Sequence, residues 1–183
     1  SWLISGLLVV ALPVHEFGHL LAYRLIGQPW GRMIFLPFLG ALAMPRLPYE
    51  TQAQAVFSAL MGPGFSLLLA FALSLPFVLG VTLPAWLVTA GGVVIGLNLF
   101  NLLPVEPLDG GVALRSILAR LMGTHARFGL LTIGLALLAG GFYFEQVILL
   151  IFGGISVLAN LRPRLIDHGL KPLSFPGVLI SAF

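Results

Sequence analysis

Three ionisable side chains lie close together inside an apolar segment near the start of the sequence. His15 and His19 are four residues apart, with Glu16 beside the first of them, within the apolar run of residues 2–26. Positions four apart share one face of a helix, so both imidazoles can reach a single metal ion. A carboxylate next to such an ion can accept a proton from a water molecule. The spacing therefore predicts a metal site with a general base.

The same spacing, His-Glu-x-x-His, is the arrangement used by zinc peptidases. The alternative is a pair of buried histidines that hydrogen-bond to neighbouring helices. Such residues are scarce in this chain, which has four histidines and six acidic residues among 183. A carboxylate between two histidines is costly in hydrocarbon and by default marks a functional site. We therefore favour the metal site over the purely structural arrangement.

The composition places this motif in a membrane. Hydrophobic residues make up 59% of the chain and charged residues 8%, and the mean hydropathy is +1.08. These values lie outside the range of soluble domains and predict the lipid bilayer as the protein's environment. The chain has no cysteine, so any metal must be held by His, Asp or Glu. The net charge of +3 gives no reason to expect nucleic acid as a partner.

Long apolar stretches predict the architecture. A helix of about 20 apolar residues crosses the ~30 Å of hydrocarbon in a bilayer. The apolar stretches of this chain therefore predict an all-α membrane protein, a polytopic helical bundle of about five such helices. The predicted spans are residues 2–26, 54–79, 85–103, 128–144 and 146–161. We expect one integral-membrane domain over residues 1–183, divided into a catalytic core (1–122), additional C-terminal helices (126–161) and an interfacial tail (162–183).

Glycine and proline interrupt the segment between the first two spans. The interruptions in residues 31–48 are Gly31, Pro37, Gly40, Pro45 and Pro48. The pieces between them are too short to cross a membrane and predict a small re-entrant β-hairpin or loop. The segment is either an interfacial connector or an edge strand that pairs with an unwound substrate. In the second case, Gly40 belongs to the substrate-binding or supporting residues.

A second polar cluster follows the third predicted span and offers the missing ligand. Two histidines leave a catalytic zinc one protein ligand short, because such sites have three protein ligands and one open position. Asp109 is the best candidate, since the prolines and glycines around it break the helix and let its carboxylate point inward. Glu106 competes for this role, and Asp109 could instead cap the helix predicted over residues 110–122. His125 and His168 are expected at the surface.

The basic residues predict the orientation in the membrane. All nine lie at the end of the first predicted span or after the first, third or fifth span: Arg24, Arg32, Arg46, Arg115, Arg120, Arg127, Arg162, Arg164 and Lys171. Because positive residues concentrate on the cytoplasmic side, the N-terminus is predicted outside and the C-terminus in the cytoplasm. The distance from His15 to Arg24 is ~13 Å along a helix. The metal is therefore expected within the bilayer, toward its cytoplasmic side.

Several of these segments together resemble the site-2 protease family of intramembrane zinc metalloproteases. The resemblance rests on the His15 to His19 motif, on Gly62-Pro63, and on residues 98–104 leading to 107–111. Their order and separation along the chain also match the family. The resemblance implies that His15, His19 and Asp109 are zinc ligands and that Glu16 is the catalytic carboxylate. It also implies that residues 31–44 form the membrane-embedded hairpin that receives the substrate.

The resemblance further implies hydrolysis of peptide bonds within or next to transmembrane segments of membrane proteins, as regulated intramembrane proteolysis with one Zn²⁺ per chain. Asn98 or Asn101 is expected to steady the loop or the substrate carbonyl. Family members often have asparagine where this chain has Ser66. No soluble regulatory domain is recognisable, so we expect a minimal core and a regulatory membrane partner. The alternatives are a non-proteolytic metal-binding membrane protein and a metal transporter.

Overall fold

The computed structural model of the chain, which describes residues 2–36 and 40–161, is mostly helical. Its elements are α1 (Trp2–Leu25), β1 (Arg32–Leu36), β2 (Gly40–Met44), α2 (Gln52–Val78), α3 (Ala85–Asn101), α4 (Asp109–Met122), a 3-10 turn (Gly123–His125), α5 (Ala126–Tyr143) and α6 (Val147–Leu161). The predicted helical membrane architecture, with a small hairpin after the first helix, is confirmed. The predicted tail at 162–183, with His168, lies outside the described residues.

All five segments predicted to cross the membrane are helical. Three of them are long and apolar enough to do so: α1 with 24 residues, α2 with 27 and α5 with 18. The apolar helices α3 and α6 have 17 and 15 residues. They rise ~26 and ~23 Å at 1.5 Å per residue, somewhat less than the ~30 Å of hydrocarbon in a typical bilayer. The orientation of the termini stays a prediction.

The chain divides into two compact units. The first contains Ser1–Pro48 and Leu60–Asn101, and the second contains Tyr49–Ala59 and the chain from Leu102 on. The histidine motif therefore belongs to the first unit and Asp109 to the second. The single domain expected over residues 1–183 stays a prediction, and each unit is described by itself below.

Gly18 allows α1 and α2 to meet backbone to backbone in the first unit. A Cβ atom on Gly18 would lie 2.9 Å from the Cα of Gly62 and 2.9 Å from the Cβ of Phe65, and it would overlap the carbonyl oxygen of Met61. Small residues let helices approach this closely in membranes. Because Gly18 directly precedes His19, the crossing places the histidine motif against Gly62.

The hairpin packs beside α1 in the same unit. Its strands are antiparallel, with Met33 opposite Ala43. The buried Tyr23 of α1 donates a hydrogen bond from its hydroxyl to the carbonyl of Ala43, at 3.2 Å. A Cβ atom on Gly31 would lie 2.6 Å from the Tyr23 ring and 2.7 Å from the carbonyl oxygen of Met44. The hairpin is thus fixed to the helix that carries the histidines.

Glycines also mark the packing of α5 against α6 in the second unit. A Cβ atom on Gly134 would lie 2.9 Å from the side chain of Val157, and one on Gly153 would lie 2.8 Å from the backbone nitrogen of Leu138. The two helices are therefore in close backbone contact at these points. This contact fixes the part of α6 that leads to the buried Asn160.

Candidate metal centre

The two histidines of the motif converge on one side of α1. Their Nε2 atoms are 3.2 Å apart, and the two side chains are buried, with exposed fractions of 1% and 7%. In a tetrahedral site with zinc–nitrogen bonds of about 2.0–2.1 Å, two imidazole nitrogens lie ~3.3 Å apart. His15 and His19 therefore have the spacing that a single zinc ion requires.

Glu16 completes a cluster of three potential ligands. One ligand atom from each of His15, Glu16 and His19 lies within 4.8 Å of the others, and all three residues are buried. The carboxylate oxygen Oε2 of Glu16 accepts a hydrogen bond from the backbone N–H of Ala43, at 2.6 Å. A hydrogen bond to an ionised acceptor offsets part of the cost of burying the charge. The hairpin thus stabilises the carboxylate beside the histidines.

Ala43 directs both of its backbone groups toward α1. Its N–H donates to Glu16 and its carbonyl accepts from Tyr23. In an antiparallel pair of strands, a residue whose N–H and carbonyl both point away from the partner strand belongs to a non-hydrogen-bonded pair. Ala43 and Met33 form such a pair. At this residue, α1 therefore occupies the outer edge of β2. This contact could not be predicted from the sequence, because the segment Gly-Ala-Leu-Ala-Met does not reveal which amide faces outward.

The contact with Asn98 of α3 indicates which ring nitrogen of His15 carries a proton. The side-chain Nδ2 of Asn98 donates to the carbonyl of Val94 at 2.7 Å, so its Oδ1 is the atom that lies 3.0 Å from Nδ1 of His15. An amide oxygen can only accept a hydrogen bond, so the proton of His15 is on Nδ1. The lone pair of Nε2 is then directed toward His19. Metal-binding histidines commonly donate their other ring nitrogen in this way.

Ser66 belongs to the same network. Its hydroxyl lies 2.9 Å from Oδ1 of Asn98, 3.0 Å from the carbonyl oxygen of Gly62 and 3.2 Å from that of Pro63. The hydroxyl has one proton and can donate it to only one of these acceptors at a time. Donation to Asn98 gives the amide oxygen a second donor beside His15. Ser66 therefore lies within hydrogen-bonding distance of the asparagine that contacts His15, and its supporting role stays a prediction.

Gly62 of α2 leaves open the space beside both histidines. A Cβ atom there would lie 2.9 Å from Nε2 of His15 and would overlap Nε2 of His19. The Nε2 atoms of the two histidines thus converge next to a position that has no side chain. Two imidazoles and a carboxylate are donors that suit zinc, so the residues present fit this metal. The sequence alone does not show that Gly62 lies against the histidines.

The other predicted site residues belong to other elements of the chain. Asp109 is the first residue of α4, and Leu108 precedes it as the N-cap without a side-chain cap, so the alternative of an Asp109 cap is wrong. The ligand role of Asp109 stays a prediction. Gly40 begins β2 opposite Leu36. Asn101 donates from Nδ2 to the carbonyl of Leu97 at 3.1 Å, and its supporting role stays a prediction.

Glu106, the rival candidate for the third ligand, is engaged within the second unit. Its Oε1 lies 3.3 Å from Nε of Arg115, and its Oε2 accepts from Nδ2 of Asn160 at 3.4 Å. Both carboxylate oxygens therefore face partners other than a metal, which disfavours Glu106 as a ligand. His125 is exposed, as expected.

An apolar cavity of about 600 Å³ lies among α1, α2 and α3 of the first unit. Its wall includes Val14, which directly precedes His15, and Ser66. The polar side-chain groups of the described lining are the hydroxyls of Ser66 and Ser74 and the indole of Trp86. Among the described residues, its lining contains no acid or histidine. The groups that could bind a metal in the first unit are those of the His15 cluster.

The chain is similar to curated proteins that carry the name zinc metalloprotease. One from Synechocystis sp. is 37% identical over 132 residues, which cover 67% of this chain and 33% of that protein. One from Methanocaldococcus jannaschii is 29% identical over 120 residues, covering 64% and 34%. The match thus spans about a third of the length of these relatives. No family model matches the chain.

The fold is also that of a solved structure, the site-2 protease from Methanocaldococcus jannaschii. The TM-score is 0.59, and the match covers 94% of this chain and 79% of the other. The sequence identity over the match is 22%. This comparison therefore supports the arrangement of helices and hairpin rather than the role of any residue.

Proposed function

Since this chain is similar in sequence to proteins named zinc metalloprotease and has the fold of a site-2 protease, we propose that it is an intramembrane zinc metalloprotease of the site-2 protease family. Its substrates are membrane proteins, cleaved within or next to a transmembrane segment. The observation that supports this most directly is the 3.2 Å spacing of the Nε2 atoms of His15 and His19, with Glu16 beside them. Asp109 enters the proposal as the third ligand on the strength of the sequence.

Each of the site residues in the first unit has a separate role in the proposed reaction. A zinc ion bound there would supply a Lewis acid that acidifies a water molecule and polarises the scissile carbonyl. Glu16 takes the proton from the water and returns it to the leaving amine. The N–H of Ala43 holds one carboxylate oxygen and so sets the direction in which Glu16 faces. Asn98 keeps the proton of His15 on Nδ1, away from the metal side.

Substrate entry requires local unwinding. The carbonyls of a transmembrane helix are engaged in hydrogen bonds, so the cleaved segment has to leave the helical conformation first. Substrates with Gly, Pro or Asn near the cut unwind most easily. The hairpin at residues 31–44 is proposed to receive the unwound segment as an added strand. The site lies toward the cytoplasmic side of the bilayer, and a regulatory membrane partner controls access to it.

The test compares the wild type with Glu16→Gln, using the full chain in detergent or liposomes and a transmembrane peptide substrate with a helix-breaking centre. Loss of the base should reduce the cleavage rate by about 10²–10⁴-fold. Zinc content, measured on the same samples, should stay close to one ion per chain, because glutamine has nearly the same shape and the histidines are unchanged.

Each other outcome identifies an alternative. If both proteins hold zinc and neither cleaves, the chain is a metal-binding membrane protein without protease activity toward this substrate. Zinc missing from both would refute the assignment of the histidines. Movement of zinc across sealed vesicles that contain the wild type would favour a transporter.

A further inference from the structure

A buried ion pair lies in the second unit, close in sequence to Asp109. Nε of Arg115 is 3.3 Å from Oε1 of Glu106, and their side chains are 14% and 7% exposed. Asn160 accepts at Oδ1 from the guanidinium of Arg115, at 2.8 Å, and donates from Nδ2 to Oε2 of Glu106, at 3.4 Å. Each of the three side chains thus contacts the other two. We call this set the Glu106 network.

Stability alone does not account for this network. Charges buried in a membrane-embedded unit are costly unless they are paired, and replacing a buried pair with apolar residues of similar size is often neutral or stabilising. Buried ionic groups can instead select one conformation among several.

The Glu106 network joins three segments of the second unit. Glu106 lies in the loop of residues 102–108, Arg115 lies on α4, and Asn160 lies near the end of α6. Asn160 is 1% exposed, and its Nδ2 also donates to the carbonyl of Ser156, at 2.8 Å. It therefore provides a fixed point on α6, to which the guanidinium of Arg115 and the carboxylate of Glu106 are both attached.

The loop folds tightly over the first turn of α4. A Cβ atom on Gly110 would overlap the carbonyl oxygen of Leu102 and lie 2.6 Å from that of Leu103. A Cβ atom on Gly111 would overlap the backbone carbonyl of Val105 and the backbone nitrogen of Glu106. The backbone of the loop thus rests on the two glycines that directly follow Asp109. A displacement of the loop would displace the start of α4 and Asp109 with it.

We propose that the Glu106 network positions Asp109 for metal binding. By attaching the loop to Arg115 and Asn160, it holds the first turn of α4 in one place, so that the carboxylate of Asp109 leaves the helix in a single direction. Glu106, Arg115 and Asn160 are positioning residues that act through Asp109. This inference rests on the proposed function, in which Asp109 is the third zinc ligand.

The experiment separates positioning from general stability with a double-mutant comparison in the full chain. The variants are Glu106→Gln, Arg115→Met and the two combined. Zinc affinity is measured by competition with a chromophoric chelator, ligand geometry by the visible spectrum after Co²⁺ substitution, and stability by the unfolding midpoint of the zinc-free protein. Asp109→Ala gives the effect of losing the ligand, and Arg115→Lys tests whether charge alone suffices.

The expected results differ between the two readouts. Each single variant leaves one charged group buried without its partner, so both unfold more easily, whereas the double variant regains most of the midpoint. Zinc affinity falls 10–100-fold in the single variants and stays low in the double variant, with an altered Co²⁺ spectrum. Arg115→Lys lies between, because an ammonium group cannot reach both partners as a guanidinium does.

A matched control is available on the same helix. Ser116 is buried on α4 and its hydroxyl donates to the carbonyl of Val112, within the helix. Ser116→Ala should therefore retain the wild-type zinc affinity. A loss in this variant as large as that in Glu106→Gln would mean that any change in α4 disturbs the metal, and would overturn the positioning role.

Failure of the inference can be told from failure of the proposed function. If Asp109→Ala weakens zinc binding while the double variant binds like the wild type, the Glu106 network only stabilises the fold and the inference is wrong. If Asp109→Ala itself binds zinc like the wild type, the third-ligand assignment fails and the inference fails with it. If a single variant does not fold, the double variant and Arg115→Lys decide between these results.

Discussion

Adding one methyl group at Gly62 should displace both histidines of the candidate metal centre. In Gly62→Ala, the new Cβ atom would lie 2.9 Å from Nε2 of His15, whereas ordinary contacts begin at 3.4 Å. His15 must therefore withdraw by ~0.5 Å, and His19 by more, since the Cβ atom would overlap its Nε2. Metal–ligand distances in working sites are held to about ±0.2 Å. The displacement exceeds this tolerance.

The size of the effect follows from that displacement. Loss of a single outer partner of a metal ligand lowers affinity by about 10–100-fold. Here both nitrogen ligands move, so we expect zinc affinity to fall by ~100-fold or more, which corresponds to ~2.7 kcal/mol. Alanine has a higher helix propensity than glycine, so a general loss of the α2 helix is not expected.

Gly64 provides the matched control. It lies in the same helix, and a Cβ atom there would have nothing within 4 Å. Zinc affinity is measured for Gly62→Ala, Gly64→Ala and the wild type by chelator competition, with circular dichroism to check helix content. Gly64→Ala should bind zinc like the wild type. The added methyl group must push the two Nε2 atoms away from their present positions. Wild-type zinc affinity in Gly62→Ala would therefore show that the metal does not depend on these positions, and would refute the site assigned to it.

Two further substitutions test the contacts around the centre. Asn98→Leu removes the acceptor of the buried Nδ1–H of His15 and should lower zinc affinity by about 10–100-fold. Asn98→Asp keeps an acceptor and should recover most of that affinity. Equal losses of affinity in both variants would contradict the orienting role of Asn98. Ala43→Pro removes the N–H that donates to Glu16 but no bond between the strands, and the lost charge-assisted hydrogen bond should slow cleavage by about 10–100-fold at unchanged zinc content. An unaltered cleavage rate in Ala43→Pro would show that this bond is dispensable.

The helices and the hairpin were predictable because their signals are local. Long apolar runs form helices in a membrane wherever their backbone groups must bond internally, and the five predicted spans coincide with α1, α2, α3, α5 and α6. The prolines and glycines of residues 31–48 limited the hairpin to short strands. The spacing of His15 and His19 likewise depends on nothing beyond one turn of one helix, so their convergence could be read directly.

Contacts between distant segments could not be read in the same way. The polarity of Asn98 in an apolar span suggested a role, but only the packing of α3 beside α1 shows that its amide meets His15. The pairing of Glu106 with Asn160 joins residues 54 positions apart, and no periodicity in either segment encodes it. The position of Gly62 against the two histidines likewise depends on how α2 packs on α1, which the sequence of α2 does not encode.

The hydrogen bond from Ala43 to Glu16 makes the hairpin edge and the carboxylate parts of one thermodynamic cycle. A strand that takes the Ala43 amide for itself has to release Glu16, and anything that draws Glu16 away weakens the hold of α1 on the hairpin. Such coupling is reciprocal and has the same magnitude in both directions. Hydrogen exchange at the single amide of Ala43 therefore reports on the state of Glu16, and does so without any substrate being cleaved.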